Sequence, residues 1–116
     1  MDAETMLDRI VAIRVAETSS SQEVDQMDEA VRRAVVEWDR IRLFVEVEGF
    51  RHMDPDALLE KLRFLSPHWG RIERMAVVCR RVWIKAWVQA GGLEIPGQLK
   101  VFDASEEKDA WQWIRG

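Results

Sequence analysis

The stretch MAVVCRRVWIKAWVQAGG, residues 75–92, decides the fold of this chain. Its first five residues, Met75–Cys79, are all apolar, which is typical of a strand that is covered on both faces. The segment Arg81–Ala90 is mostly apolar, and its three polar side chains lie four residues apart on one stripe, as in a helix. Gly91-Gly92 then ends this helix. A buried strand followed at once by a helix is the repeating unit of a parallel α/β sheet.

The same unit recurs along the chain. Strands are predicted at Ile10–Val15, Ile41–Val47, Met75–Cys79 and Leu99–Phe102, and each is followed by a helical pattern. A short edge strand before Arg9 has a weaker signal. The alternation predicts a single small α/β domain, residues 1–116, with a mostly parallel sheet of four to five strands and alternating helices in two or three layers.

The predicted helices carry start signals. Ser20 with Glu23, and Asp103 with Glu106, have the spacing of a capping box. Asp54-Pro55 combines an N-cap with a residue that suits the first helical turn. The second helix is predicted to bury Leu58, Leu59, Leu62 and Leu65.

Length and composition place the chain among ordinary globular domains. It has 116 residues, of which 47% are apolar and 33% charged, enough to form one core without a disulfide or a metal. Cys79 is the only cysteine, so an internal disulfide is excluded and a reducing compartment fits. The acidic N-terminus and the lack of a membrane-spanning apolar run predict a cytoplasmic protein.

The charge is unevenly distributed. The net charge is −4, yet residues 71–100 carry six basic and two acidic side chains, a local balance of +4. Nucleic-acid binding is not expected of an acidic chain, because that affinity depends mainly on neutralising phosphates.

The residues that could carry catalysis do not form a convincing constellation. Cys79 lies within an apolar run, where a thiol is usually inert. His52 has Asp54 and Asp56 nearby, but a solvated polar turn explains them better than a metal site. Glu46 and Glu48 are expected to be solvated charges rather than an acid/base pair. No glycine-rich loop lies between a strand and a helix. We therefore predict no catalytic residue, no metal, no cofactor and no enzymatic activity.

The third helix, Arg81–Ala90, is more apolar than a surface helix requires. One explanation is that its neighbours and the loop Gly91–Gln98 cover it. A second is a protein interface, such as a homodimer. A third is a helix at a membrane surface, or the wall of a nonpolar-ligand pocket. The predicted binding residues are Trp83, Trp87 and Val88, with Arg80, Arg81 and Lys85 attracting anionic headgroups.

Several stretches resemble the SpoIIAA-like family. They are RIRLFVEV at 40–47, LLEKLRF at 58–64, RIERMAVV at 71–78, VFD at 101–103 and AWQWI at 110–114. With Gly49-Phe50 and the tryptophan-bearing helix, the likeness covers roughly residues 9–115. It implies a STAS-type fold, related in topology to CRAL-TRIO lipid-binding domains. It also implies a bacterial, non-enzymatic protein that binds nonpolar ligands or associates with membranes.

One departure from the namesake family concerns regulation. The anti-sigma factor antagonists are switched by phosphorylation of a serine at the start of a helix. Residues 48–56, the matching region here, contain neither serine nor threonine, so this switch is not expected. The leading hypothesis is a domain that binds a nonpolar small molecule or lipid and associates peripherally with membranes. The alternative is a STAS-type protein–protein regulatory module that lacks the phosphorylatable serine.

Overall fold

The strands form one parallel sheet in the order β1-β2-β3-β4 within residues 9–116, the part of the chain that this computed structural model describes. They are β1 (Ile10–Ala16), β2 (Ile41–Glu48), β3 (Ile72–Cys79) and β4 (Gln98–Asp103). All neighbouring pairs run parallel, with a register shift between Ile41 and Arg42. This arrangement confirms the predicted parallel α/β fold. The edge strand predicted before Arg9 lies outside the described residues.

Helices follow the strands as predicted. They are α1 (Ser21–Trp38), α2 (Pro55–Leu62), α3 (Val82–Gln89) and α4 (Glu107–Arg115). A 3₁₀ helix, Arg63–Arg71, continues α2, and another, Ala104–Glu106, leads into α4. The predicted caps form: Ser20 and Glu23 make a capping box, as do Asp103 and Glu106, and Asp54 accepts the Ala57 N–H.

The helices lie on both faces of the sheet, giving three layers. Consecutive parallel strands that are neighbours have right-handed connections, so α1, α2 and α3 share one face. The first core lies there, between strand residues such as Leu43 and Met75 and helix residues such as Leu58 and Ile84. The C-terminal helix α4 packs on the opposite face, where a second core contains Ile10, Phe44, Ala76, Val78, Phe102, Ala110 and Ile114.

One predicted core residue was wrong. Leu59 is 39% exposed, whereas Leu58, Leu62 and Leu65 are buried. A helix turns about 100° per residue, so Leu59 points well away from the face that Leu58 and Leu62 share. In addition, α2 ends at Leu62, and Leu65 reaches the core from the following 3₁₀ helix.

Candidate functional site

The loops that follow the strands meet at one edge of the sheet, because the strands are parallel. In open α/β sheets, ligands bind at this edge where neighbouring connections leave toward opposite faces. Here β3 leads into α3 on one face, while β4 leads into α4 on the other. The crevice between them is lined by Arg80, Asp103, Ala104 and Ser105 and has a volume of about 390 Å³. Arg80, one of the predicted binding residues, therefore lies at the crevice that the topology creates.

Phe50 ties two loops to the start of α3 at this edge. Its N–H donates to the Glu17 carboxylate, N to Oε1 2.6 Å, and its carbonyl accepts from Trp83 Nε1 at 2.8 Å. Phe50 has a φ of 58° and follows Gly49 with a φ of 82°. A bulky residue in this left-handed region is unusual and persists only where its surroundings fix it. The loops after β1 and β2 are thus fixed against the start of α3.

The two tryptophans of α3 contribute to the packing of the fold. Trp83 and Trp87 are half-buried and pack against the first core, with ring centroids 6.2 Å apart. Gly92 lies directly against Trp87, since a Cβ added there would come within 2.1 Å of Trp87 Nε1. Neighbouring elements thus cover much of the apolar surface that the sequence assigns to this helix. Val82, at the first turn of α3, is instead 83% exposed.

Val88 lies at the other end of α3 and is buried. It forms the floor of a cleft of about 470 Å³ between α3, the following loop and β4. We call this the α3–β4 cleft. Its lining is mixed, with the apolar residues Val88, Leu93, Ile95, Leu99 and Val101 and the polar residues Gln89, Glu94 and Lys100. Val88 therefore faces a cleft and not the outer surface of the molecule.

The predicted cations Arg80, Arg81 and Lys85 differ in whether they have a hydrogen-bond or ion-pair partner. Arg81 Nε donates to the Gly49 carbonyl at 3.3 Å, and Lys85 Nζ lies 3.6 Å from Glu106 Oε1. Within residues 9–116, Arg80 forms no ion pair, and neither does Arg51 of the β2–α2 loop. These two guanidinium groups keep their charge available to an external anion.

Three acidic groups at the same edge, Asp54, Glu48 and Asp103, have local partners. Asp54 caps α2, and Glu48 Oε1 lies 3.3 Å from Arg14 Nε. Asp103 accepts hydrogen bonds from the hydroxyl and the N–H of Ser105, which lower the pKa of that carboxyl below its ordinary value. Arg14 offsets part of the Glu48 charge, whereas Asp103 stays ionised and its charge interacts favourably with Lys85 and Arg80.

Sequence analysis missed two exposed apolar residues at this edge. Val82 adjoins both Arg81 and Trp83, and Met53, which is 74% exposed, lies three residues after Phe50. At about 3.5 Å per residue, neither is more than roughly 10 Å along the chain from the Trp83–Phe50 hydrogen bond. Met53 could have been found from the sequence, because it is a large apolar residue within the polar turn Arg51–Asp54.

The family model described as SpoIIAA-like matches residues 10–115. The chain belongs to the SpoIIAA-like family. The match spans β1 to α4 and agrees with the STAS-type α/β architecture that the sequence predicts. No curated protein and no solved structure matches the chain significantly.

The β2–α2 loop of this SpoIIAA-like chain is the region for which the sequence predicts no phosphorylation switch. Residues 48–56 lie at the carboxyl edge, and Asp54 there serves as the N-cap of α2. The Asp54 carboxylate accepts the Ala57 N–H at 3.1 Å, so a hydrogen bond within the helix accounts for it. The loop of this SpoIIAA-like chain is shaped by the positive φ angles of Gly49 and Phe50 and by this cap.

The histidines and the thiol of this SpoIIAA-like domain lie apart. His68 Nε2 is 3.2 Å from Asp28 Oδ1 on α1, and His52 is exposed in the β2–α2 loop. Throughout residues 9–116, three His, Cys, Asp or Glu side chains nowhere converge as a metal site requires. Cys79 is buried, and burial raises the pKa of its thiol to about 11.

Proposed function

We propose that this SpoIIAA-like chain is a non-enzymatic domain that associates peripherally with anionic membrane surfaces. The contact surface is the cationic rim, which we define as Arg51, Met53, Arg80, Arg81 and Val82. One observation carries the proposal: the Trp83–Phe50 hydrogen bond holds the β2–α2 loop against α3. Each rim residue lies within three positions of Phe50 or Trp83, the two partners of this bond.

The expected affinity follows from the two kinds of side chain. Removing Val82 or Met53 from water is favourable by roughly 1.5–3 kcal/mol each when burial is complete. Each arginine near an anionic surface adds about 1 kcal/mol, and salt screens this attraction. The rim therefore predicts weak, reversible binding that depends on anionic lipid. No helix within residues 9–116 has the length and apolar character needed to span a bilayer.

The predicted binding residues take different roles in this proposal. Arg80 and Arg81 belong to the rim, and Lys85 lies one turn behind it on α3. Trp83 supports the rim through its hydrogen bond to Phe50 and presents its exposed edge at the headgroup level. Trp87 is a support one turn further along the same face of α3, against Gly92.

Co-sedimentation with vesicles tests this proposal. Vesicles rich in phosphatidylserine should bind the wild-type chain, and phosphatidylcholine vesicles should not. The double variants Val82→Ser with Met53→Ser, and Arg51→Gln with Arg80→Gln, should each lose binding while remaining folded.

Matched controls come from α1, which ends beside the start of β2 at the opposite edge of the sheet. Val36 is 86% exposed, and Arg33 is an exposed cation. Val36→Ser and Arg33→Gln should bind like the wild type. Equal binding to neutral vesicles, or rim variants that bind as well as these controls, would refute the proposal.

The α3–β4 cleft supports a second function, the binding of a nonpolar small molecule. Its volume of about 470 Å³ lies within the range of known ligand sites, roughly 300–1,000 Å³. Val88, Leu93, Ile95, Leu99 and Val101 supply the apolar part of its lining, which would contact the nonpolar part of such a ligand. Native mass spectrometry should detect a co-purified ligand that Leu99→Glu abolishes and the rim variants retain. A wild-type chain free of bound mass after gentle purification would count against this function.

The regulatory protein–protein module would use the same rim, because arginine and exposed apolar residues also suit an interface core. Size-exclusion chromatography with light scattering measures the oligomeric state and so tests for a homodimer. A dimer that Val82→Ser dissociates would favour the module, and a monomer at every concentration would exclude self-association.

A further inference from the structure

The amino ends of the parallel strands meet at the edge of the sheet opposite the cationic rim. Each of the first three strands follows directly on an arginine, namely Arg9, Arg40 and Arg71. Inside the strands, Arg42 of β2 and Arg74 of β3 are partners in register. The parallel sheet therefore gathers at one edge arginines that are distant from each other in sequence.

We call this region the amino edge and define it as residues 9, 38–42, 69–74 and 113–115. The last turn of α4 belongs to it because its carbonyls accept hydrogen bonds from Arg42 and Arg74. The amino edge carries six arginines and two acidic residues, a balance of +4 in a chain whose net charge is −4. The total charge speaks against nucleic-acid binding, but this local balance removes that objection at the amino edge.

Both acidic residues of the amino edge already face arginines. Asp39 Oδ1 lies 2.9 Å from Arg71 Nη1. The two carboxylate oxygens of Glu73 each lie 3.5 Å from a guanidinium nitrogen, one of Arg9 and the other of Arg42. The negative charge at this edge is therefore already paired, and the surplus is positive.

Two other arginines of the amino edge adjoin tryptophans. Arg40 and Arg74 form no ion pair in the part of the chain that the structure describes. The Arg40 N–H donates to the Trp38 carbonyl at 2.7 Å, in a tight turn where Trp38 is 36% exposed. The Arg74 guanidinium lies over the Trp113 ring, 5.4 Å from its centroid. Available positive charge and aromatic rings thus occur side by side.

We propose that the amino edge binds single-stranded nucleic acid, with its arginines on the phosphates and the exposed ring of Trp38 stacked on a base. Unpaired bases stack on aromatic rings, and arginine adds cation–π attraction. The bases of a duplex are already stacked on each other, and an acidic peptide would use the arginines but not Trp38. This function goes beyond membrane association and uses the opposite edge of the sheet.

The size of the amino edge limits the affinity. From β1 to β4 the sheet spans three strand spacings, roughly 14 Å, so only a few phosphates can lie on it. Each neutralised phosphate of a single strand contributes about −0.7 to the slope of log affinity against log salt. With three or four arginine contacts, we expect the affinity to fall about twentyfold to fiftyfold between roughly 50 and 200 mM salt.

Fluorescence anisotropy of a labelled oligodeoxythymidylate, about twelve nucleotides long, tests the proposal on the full chain. The single strand should bind with this salt dependence, and a duplex of equal length should bind at least about threefold more weakly. Arg40→Gln should weaken binding about threefold to fivefold, because one phosphate contact is lost. Trp38→Leu should weaken binding about fivefold or more, because stacking is lost, whereas Trp38→Phe should retain most of the affinity.

Matched controls come from the cationic rim at the other edge of the sheet. Arg51→Gln removes an exposed arginine that also has no ion pair, and Met53→Ser removes an exposed apolar side chain. Both should bind the oligonucleotide like the wild type. The double variant Arg51→Gln with Arg80→Gln should lose vesicle binding and keep oligonucleotide binding, so the membrane proposal and this one can fail independently.

Several outcomes would overturn the proposal. They are an oligonucleotide that does not bind, a duplex that binds equally well, and an Arg40→Gln chain that binds as tightly as Arg51→Gln. Polyglutamate that displaces the oligonucleotide at equal charge concentration would assign the amino edge to acidic protein segments instead. Loss of vesicle binding in Trp38→Leu without loss of oligonucleotide binding would assign it to membranes. If a variant does not fold, the wild-type comparison of single strand with duplex decides by itself.

Discussion

Arg42 of β2 holds the last turn of α4, since its Nη1 donates to the Ile114 carbonyl at 2.8 Å. Arg74 of β3 does the same for Trp113, with an Nη1 to oxygen distance of 2.7 Å. The final carbonyls of a helix lack partners within it and carry partial negative charge. Two guanidinium groups there are therefore favourable both as hydrogen-bond donors and as positive charges. The sheet face that packs against α4 thus supplies the cap that α4 itself lacks.

Replacing Arg42 should destabilise the protein. In Arg42→Met, the Ile114 carbonyl loses a charged donor and Glu73 loses an ion-pair partner at 3.5 Å. We expect a decrease in the free energy of unfolding of about 1.5–3 kcal/mol, measured by urea denaturation. Arg33→Met removes an exposed pair with Glu29 on α1 and should lower it by less than about 0.5 kcal/mol. Equal effects of the two substitutions would contradict this role of Arg42.

A side chain at position 92 should displace Trp87. The Cβ of an alanine would lie 2.1 Å from Trp87 Nε1, so the ring must move from the first core. Gly92→Ala should therefore lower the free energy of unfolding by about 1–3 kcal/mol and alter the tryptophan fluorescence. Gly70 has open space around its Cα, so Gly70→Ala serves as the control and should be neutral or slightly stabilising. An unchanged Gly92→Ala protein would show that Trp87 is not fixed there.

Much of the fold could be predicted because it depends on local patterns. The capping boxes at Ser20 and Asp103 and the apolar strands are short-range signals, and the structure contains them all. Leu59 was mispredicted because all four leucines were assigned to the buried face of the helix, without regard to the direction in which each side chain projects from the helix axis. The point at which α2 becomes a 3₁₀ helix depends on tertiary packing, which the periodicity does not contain.

The candidate site was less predictable, because it depends on contacts between residues distant in sequence. The apolar excess of α3 was visible, but its coverage by Gly92 and the Phe50 loop was not. The hydrogen bonds of Phe50 with Trp83 and with Glu17 each join residues thirty-three positions apart. Sequence order brings neither pair together; only the parallel sheet does, by collecting its loops at one edge.

The indole N–H of Trp83 should contribute to stability separately from its ring. Trp83→Phe keeps an aromatic ring but leaves the Phe50 carbonyl without its donor. We expect the free energy of unfolding to fall by about 0.5–1.5 kcal/mol in urea denaturation. Trp38→Phe, at a position 36% exposed on α1, is the matched control and should change it little. If both variants lose the same amount, the Trp83–Phe50 hydrogen bond does not hold the β2–α2 loop.

The thiol of Cys79 should be inert in the folded protein. Burial is the main cause that raises its pKa to about 11, and the Asp103 charge adds to the effect. The reactive thiolate is therefore scarce at pH 8, and its surroundings exclude reagents. Iodoacetamide should modify Cys79 rapidly in urea and very slowly without it. Because the neutral thiol is favoured in the fold, stability should also decrease as the pH rises from about 9 toward 11. Rapid labelling of the native chain at pH 8 would show instead that the carboxyl edge of the sheet opens far enough to expose the end of β3.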